Sequence, residues 1–159
     1  MTQQRMNRRL NPSEETIRLG PLEVRFLVTS DDSNESAAVM AMTVRAGDKL
    51  AAPPHSHDAS EETIYGIEGT LTWTVDGDVS EVGLGQALCI PRGAVHHFAN
   101  HGGEDAKALV IITPAVIGPA YFRETAEVAN AAAGGPPDVA KLVEIMRRHG
   151  LTPVPPRSA

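Results

Sequence analysis

Between Leu22 and Pro114, apolar and polar residues alternate with a period of two, and short turn signals cut the pattern into runs. Such a chain is committed to strands, because successive side chains of a strand point to opposite faces. "LEVRFLV" sets Leu22, Val24, Phe26 and Val28 against Glu23 and Arg25, and "AAVMAMTVR" follows after the polar turn "SDDSNES". In "EETIYGIEG" and "TLTWTVDGD", the residues Leu71, Trp73 and Val75 oppose Thr70, Thr72 and Thr74. Asp76-Gly77 predicts a type I′ hairpin turn, whose two central positions both need positive φ. "QALCIP", "AVHHFAN" and "AKALVIITP" complete the series. Many short strands between Gly, Pro and Asn turns predict an all-β sandwich or barrel.

Beyond Pro114 the pattern changes to helix. "GPAYFRETAEVANAAAGG" has Pro119 near its start and Gly134-Gly135 as a stop. "PPDVAKLVEIMRRHG" predicts a second helix with Asp138 as N-cap and an apolar stripe of Val139, Leu142, Val143 and Met146. Arg147, Arg148 and His149 complement its dipole and Gly150 ends it, so His149 reads as a cap residue. "PVPPRSA" reads as an extended tail. The expected organisation is a flexible N-terminal segment (1–19), a barrel (20–118) and a helical extension with tail (119–159). The spare face of the second helix and the exposed strand edges predict a homodimer.

Charge and cysteine content remove several classes. The 159 residues carry a net charge of -6 with no basic stripe, so nucleic acid is not an expected partner. Arg5, Arg8 and Arg9 cluster near the start, but no apolar h-region follows, so no signal peptide is read there. No window reaches the roughly 18 apolar residues of a membrane span. No helix-turn-helix pattern precedes the strands, which speaks against a transcription factor. The one cysteine, Cys89, lies in the apolar run "ALCIP" and reads as a buried, unreactive thiol. With no disulfide to demand an oxidising compartment, a cytoplasmic location is expected.

The chemistry concentrates in "APPHSHDASEETIYGIEG" and "GAVHHFAN". His55 and His57 are one residue apart and share a face if the segment is extended. Adjacent residues oppose each other, so at most one of His96 and His97 joins them; if His96 faces inward, so does Phe98, while His97 faces out. His101, in the turn "NHGGED", reads as solvated. The strand after His57 offers either Glu61 or Glu62 to the same face, and periodicity alone leaves that register open. Three imidazoles and a carboxylate would hold one divalent transition metal, whether Fe, Ni, Mn, Cu, Co or Zn. A closed structural zinc site would usually use cysteines instead.

These residues resemble the two motifs of the cupin superfamily. His55-x-His57, four residues, Glu62, six residues and Gly69 are similar to the first motif; Gly85, Pro91, Gly93, His96 and Asn100 match the second at every fixed position. One departure is that Gly47 precedes His55 by seven residues, where the motif usually has five. The resemblance spans about Gly20 to Pro114. It implies a double-stranded β-helix, the cupin jelly-roll barrel, with short C-terminal helices added here. It also selects Glu62 over Glu61 and implies His55, His57, Glu62 and His96 as metal ligands, with Glu62 a catalytic base when it detaches.

A single barrel with a helical extension looks like the bacterial relatives of quercetin 2,3-dioxygenase. The first expectation is therefore a metal-dependent dioxygenase acting on a small aromatic or enolic molecule. The alternatives are a non-oxidative metal enzyme (isomerase, lyase, decarboxylase or polyketide-cyclase type) and a small-ligand-binding cupin without activity. By strand parity the pocket candidates are Phe26, Met40, Met42, Ile64, Trp73 and Phe98.

Overall fold

The computed structural model describes residues 15–47, 50 and 52–154. The Arg5, Arg8 and Arg9 cluster and the end of the tail lie outside the described residues. Among those residues the strands form two sheets. A six-stranded sheet runs in the order β1 (Ile17–Leu19), β2 (Leu22–Val28), β3 (Ala38–Val44), β10 (Ala106–Thr113), β5 (Glu61–Glu68) and β8 (Ala87–Ile90). A five-stranded sheet runs β11 (Leu151–Pro153), β4 (His55–His57), β9 (His96–Ala99), β6 (Leu71–Val75) and β7 (Asp78–Val82). Every pair within them is antiparallel, and the two sheets form a jelly-roll barrel.

The alternation in the sequence is realised as burial. In β3 the residues Ala38, Met40, Met42 and Val44 are all buried and the residues between them are only partly covered. Val24 and Phe26 of β2, Ile64 of β5, Val110 and Ile112 of β10, and Leu71 and Trp73 of β6 complete the interior. Removing such side chains from water is worth about 1.5–3 kcal/mol each, so a slip of one residue in any of these strands would be costly. Asp76 (φ 50) and Gly77 (φ 93) adopt the two positive φ values expected of the β6–β7 hairpin.

Several expectations change. "SDDSNES" contains a short helix, α1 (Ser30–Ser33), because Asp32 accepts a hydrogen bond from the Thr29 amide at 2.9 Å and caps it. Cys89 is exposed rather than buried. The reason is parity: Ile90 of β8 points inward, so Cys89 beside it points out. β1 begins at Ile17, inside the stretch read as flexible.

The C-terminal part holds α2 (Pro119–Ala131) and α3 (Val139–Arg148). Asp138 caps α3 by accepting from the Lys141 amide at 3.2 Å. The buried face of α3 is Leu142, Ile145 and Met146, while Val139 is 47% exposed. The stripe is thus turned toward Ile145, and it packs on α2 and β11 of the same chain. The face on which the expected homodimer rested is therefore covered internally. α2 lies against β1, with Asn130 Nδ2 donating to the Arg18 carbonyl at 2.9 Å and the Arg123 guanidinium paired with Glu15. Phe122 meets Phe26 edge to face, 5.7 Å between ring centres. No helix among the described residues is long and apolar enough to cross a membrane.

Candidate metal centre

β4 places His55 and His57 on one face, and β9 brings His96 directly opposite His55 in the ladder. One ligand atom from each of the three lies within 4.8 Å of the others. Ring centres are 4.8 Å apart for His55 and His96, 4.9 Å for His57 and His96, and 5.2 Å for His55 and His57. The second sheet contributes through β5, where Glu62 sits in register between Ile112 and Ile90. Glu62 is buried and faces the imidazoles, while Glu61 points away and pairs with Arg92 at 2.8 Å. The register left open by periodicity is the one that turns Glu62 inward. His97 and His101 are exposed and do not reach the site. His149 caps α3 and contacts Glu124 at 3.1 Å.

The ring orientations show what the site is built to hold. His55 Nδ1 lies 3.0 Å from the Pro53 carbonyl and His96 Nδ1 3.0 Å from the Ala94 carbonyl. A carbonyl only accepts, so both Nδ1 atoms carry hydrogen, and in the neutral ring each Nε2 is left with a lone pair. His96 Nε2 then faces Glu62 Oε2 at 3.2 Å, acceptor against acceptor. His57 Nδ1 is buried without a hydrogen-bond partner and lies 3.5 Å from the same oxygen. Such a juxtaposition needs a cation, either a proton or a metal ion. The donor set of imidazole and carboxylate fits a divalent transition metal.

Protonation follows from the same geometry. Burial, reinforced by the charge of His96, pushes His55 down to about 4. Burial also pushes His57 below its ordinary value. For Glu62, burial works toward a higher value, but the hydrogen bond from His96 and the charges of the three imidazoles outweigh it and hold the carboxyl low. For His96, burial works toward a lower value, and Glu62 outweighs it, so this imidazole is raised. Two imidazoles are thus ready for a metal near neutral pH, and the third, beside the carboxylate, holds its proton to higher pH than they do.

A cavity opens onto this centre, with about 750 Å³ of empty space, its mouth included. Met40, Met42 and Phe98 line it, whereas Phe26, Ile64 and Trp73 lie behind the wall. Trp73 stacks on Phe98 at 4.5 Å and supports it. Sequence reasoning missed the residues from outside the barrel strands: Tyr121, Phe122 and Thr125 of α2, Leu151 of β11, and Leu50, Ala52 and Ile117 of the connecting loops. The spacing of Tyr121, Phe122, Thr125 and Ala126 was a readable helical face, but the surface it covers is set by docking. Tyr121 is pushed up to about 12 by burial, with the charge of Glu62 adding, so it stays a neutral phenol.

Residues 40–112 match the family model described as "Cupin domain". That match covers just under half of the chain and, with the barrel fold, supports a small cupin-superfamily protein. The chain is 30% identical over 93 residues to "Polyketide synthase CurC" of Streptomyces cyaneus, covering 58% of this chain and 59% of the relative. It is 31% identical over 85 residues to "Tetracenomycin polyketide synthase protein TcmJ" of Streptomyces glaucescens, covering 54% and 57%. The matched parts therefore span less than two thirds of either relative. Among solved structures, the polyketide cyclase RemF from Streptomyces resistomycificus superposes with a TM-score of 0.52 at 26% identity, over 71% of this chain and 78% of that one. The three histidines of this cupin are positioned to bind a metal.

Proposed function

We propose that this cupin is a non-oxidative metal enzyme of the polyketide-cyclase type, closing a ring in an oxygen-bearing, largely apolar polyketone by condensation with loss of water. The observation that carries this reading is the cavity. Its walls are aliphatic, thioether and aromatic, and its polar groups are the metal-centre residues with Tyr121 and Thr125. An apolar wall has few partners for a sugar or a polyacid, whose polar groups would be stranded there. It suits a carbon chain whose few oxygens meet the centre. The polyketide-related names among the relatives support the same class. They move the dioxygenase expectation behind the alternative.

His55, His57, His96 and Glu62 are the residues that would hold the ion. When bound, the ion supplies Lewis acidity at a substrate carbonyl, which acidifies the neighbouring C–H and makes the carbonyl carbon electrophilic. The apolar walls exclude water and fold the chain so that carbon meets carbonyl. The Tyr121 phenol offers a hydrogen bond to a substrate oxygen. Glu62, held ionised below its usual range by the imidazoles, serves first as ligand. As a base it would take a proton only on leaving the histidines.

The test compares product formation with and without oxygen, on metal-loaded protein given a panel of polyketones and phenolic ketones. The expected result is anaerobic conversion to a product lighter by one water. Conversion that requires oxygen would return the dioxygenase reading. Binding without any conversion would leave a ligand-binding cupin. Exchanging Glu62→Gln with the metal still bound separates its two roles, since undiminished turnover would remove the base.

A further inference from the structure

The metal centre borrows its support from the far end of the chain. β4 is only three residues long, and on its β9 side a single residue pair, His55 with His96, joins the ladder. A further bond on the barrel side runs from the Gly93 amide to the His57 carbonyl at 3.0 Å. Its other side is paired along its whole length with β11: Leu151 opposite His57, Thr152 opposite Ser56 and Pro153 opposite His55. The Val154 amide extends this contact by donating to the Pro54 carbonyl at 2.8 Å. Outside the ladder, Thr152 Oγ1 donates to Asp58 Oδ2 at 2.6 Å, and Ser56 Oγ donates to Asp58 Oδ1 at 2.8 Å. Asp58 therefore ties the residue after His57 to β11 and the residue before His57 to itself.

This matters because the three imidazoles are not oriented alike. The rings of His55 and His96 are each held by a carbonyl two residues earlier. His57 has no such partner on its buried Nδ1. Its ring is placed by the backbone of β4 and by contacts with His55, His96 and Glu62, none of them a hydrogen bond to the main chain. The position of β4 therefore bears directly on that of His57.

We propose that β11 is a positioning element for the metal centre, acting through the Thr152–Asp58–Ser56 hydrogen bonds to hold β4 and thereby the spacing of His55 and His57. Thr152 is a positioning residue, reaching the ligands only through Asp58 and the strand. The inference rests on the reading of the three histidines as a metal centre.

The test uses the full chain and Co²⁺ alone as the probe, followed by its visible absorption spectrum and by calorimetric titration. Thr152→Val keeps the shape and removes the hydroxyl; Thr152→Ser keeps the hydroxyl. The expected result is Co²⁺ binding weakened roughly tenfold in Thr152→Val, the low end of losses from partners outside the ligand set, with an altered spectrum. Thr152→Ser should restore both. Wild-type affinity and spectrum in Thr152→Val would overturn the positioning role while leaving the metal centre intact. Failure of the wild-type chain to bind Co²⁺, Zn²⁺ or Ni²⁺ at all would overturn both readings. If Thr152→Val does not fold, Asp58→Asn removes the shared acceptor charge and is judged by the same two readouts, with unchanged binding counting against the proposal.

Discussion

At the scale of single residues, His96 decides how the centre responds to pH. Metal ligands must give up their protons to bind. His55, lowered to about 4, and His57, also lowered, are already neutral near pH 7. His96 is raised by Glu62, so of the three it is the last to give up its proton for the metal as pH rises. Affinity should therefore rise with pH through the raised value of His96 and then level off, falling about tenfold per unit on the acid side while one proton is displaced. Zn²⁺ titrations across a pH series check this, and calorimetry in two buffers should register the released proton. Asn100 is the second residue-scale case. It is buried, its Nδ2 donates to the Val44 and Glu104 carbonyls at 2.9 and 2.8 Å, and its Oδ1 accepts from the Gly102 amide at 2.9 Å. Asn100→Ala should cost roughly 2–4 kcal/mol, from three bonds at about 1 kcal/mol each plus stranded backbone groups. Denaturant unfolding reads the loss.

At the scale of elements, β5 shows how one position can serve two demands. Glu62, Ile64 and Gly66 share its inward face: ligand, core and close approach. A Cβ at Gly66 would run into the backbone carbonyl of Gly83, which cannot swing aside as a side chain could. Gly66 also bonds to this loop, its amide to the Gln86 carbonyl at 2.9 Å and its carbonyl to the Gly85 amide at 3.0 Å. Gly66→Ala should therefore destabilise the fold by about 1–3 kcal/mol, the usual cost of overpacking. A midpoint unchanged from wild type in thermal unfolding would sink that account. α2 is the counterpart outside the barrel. It is pinned to α3 by Glu124, which pairs with Arg148 at 2.7 Å and His149 at 3.1 Å, and His149 packs edge-on against Tyr121. The helix that roofs the cavity is thus held by the helix that leads into β11.

At the scale of the molecule, the metal is expected to act as part of the fold. The three histidines come from β4 and β9, with Glu62 facing them from the other sheet, so an ion held there binds only the folded arrangement and stabilises it by mass action. With free metal at about a hundred times its Kd the gain is about 2.7 kcal/mol, or roughly 5–10 °C in Tm for a chain of this size. Thermal melts with Zn²⁺ and with a chelator should differ by that amount, and coincident curves would argue against a site built from both sheets. The same joining of parts explains the cavity: barrel strands make its walls, while α2 and β11 close it.

Local sequence carried much of this. Period-two alternation determined the strands, because a strand shows its two faces on successive residues. The positive φ at Asp76-Gly77 followed from hairpin geometry, and the family resemblance carried by His55, His57, Glu62, Gly69 and His96 pointed to the three histidines and the carboxylate that the fold gathers. Other features waited for the tertiary structure. Which face of α3 is buried depended on α2 and β11 lying against it, so Ile145 took the place of Val139. Whether Cys89 was buried depended on its parity against Ile90, which an apolar run cannot show. The contribution of Tyr121, Phe122 and Leu151 to the cavity, and the bond from Thr152 to Asp58 across 94 positions of chain, arise where distant segments dock. A short strand such as "LTP" has no pattern of its own to announce a partner; its pairing is decided by the edge of β4 left open beside the ligands.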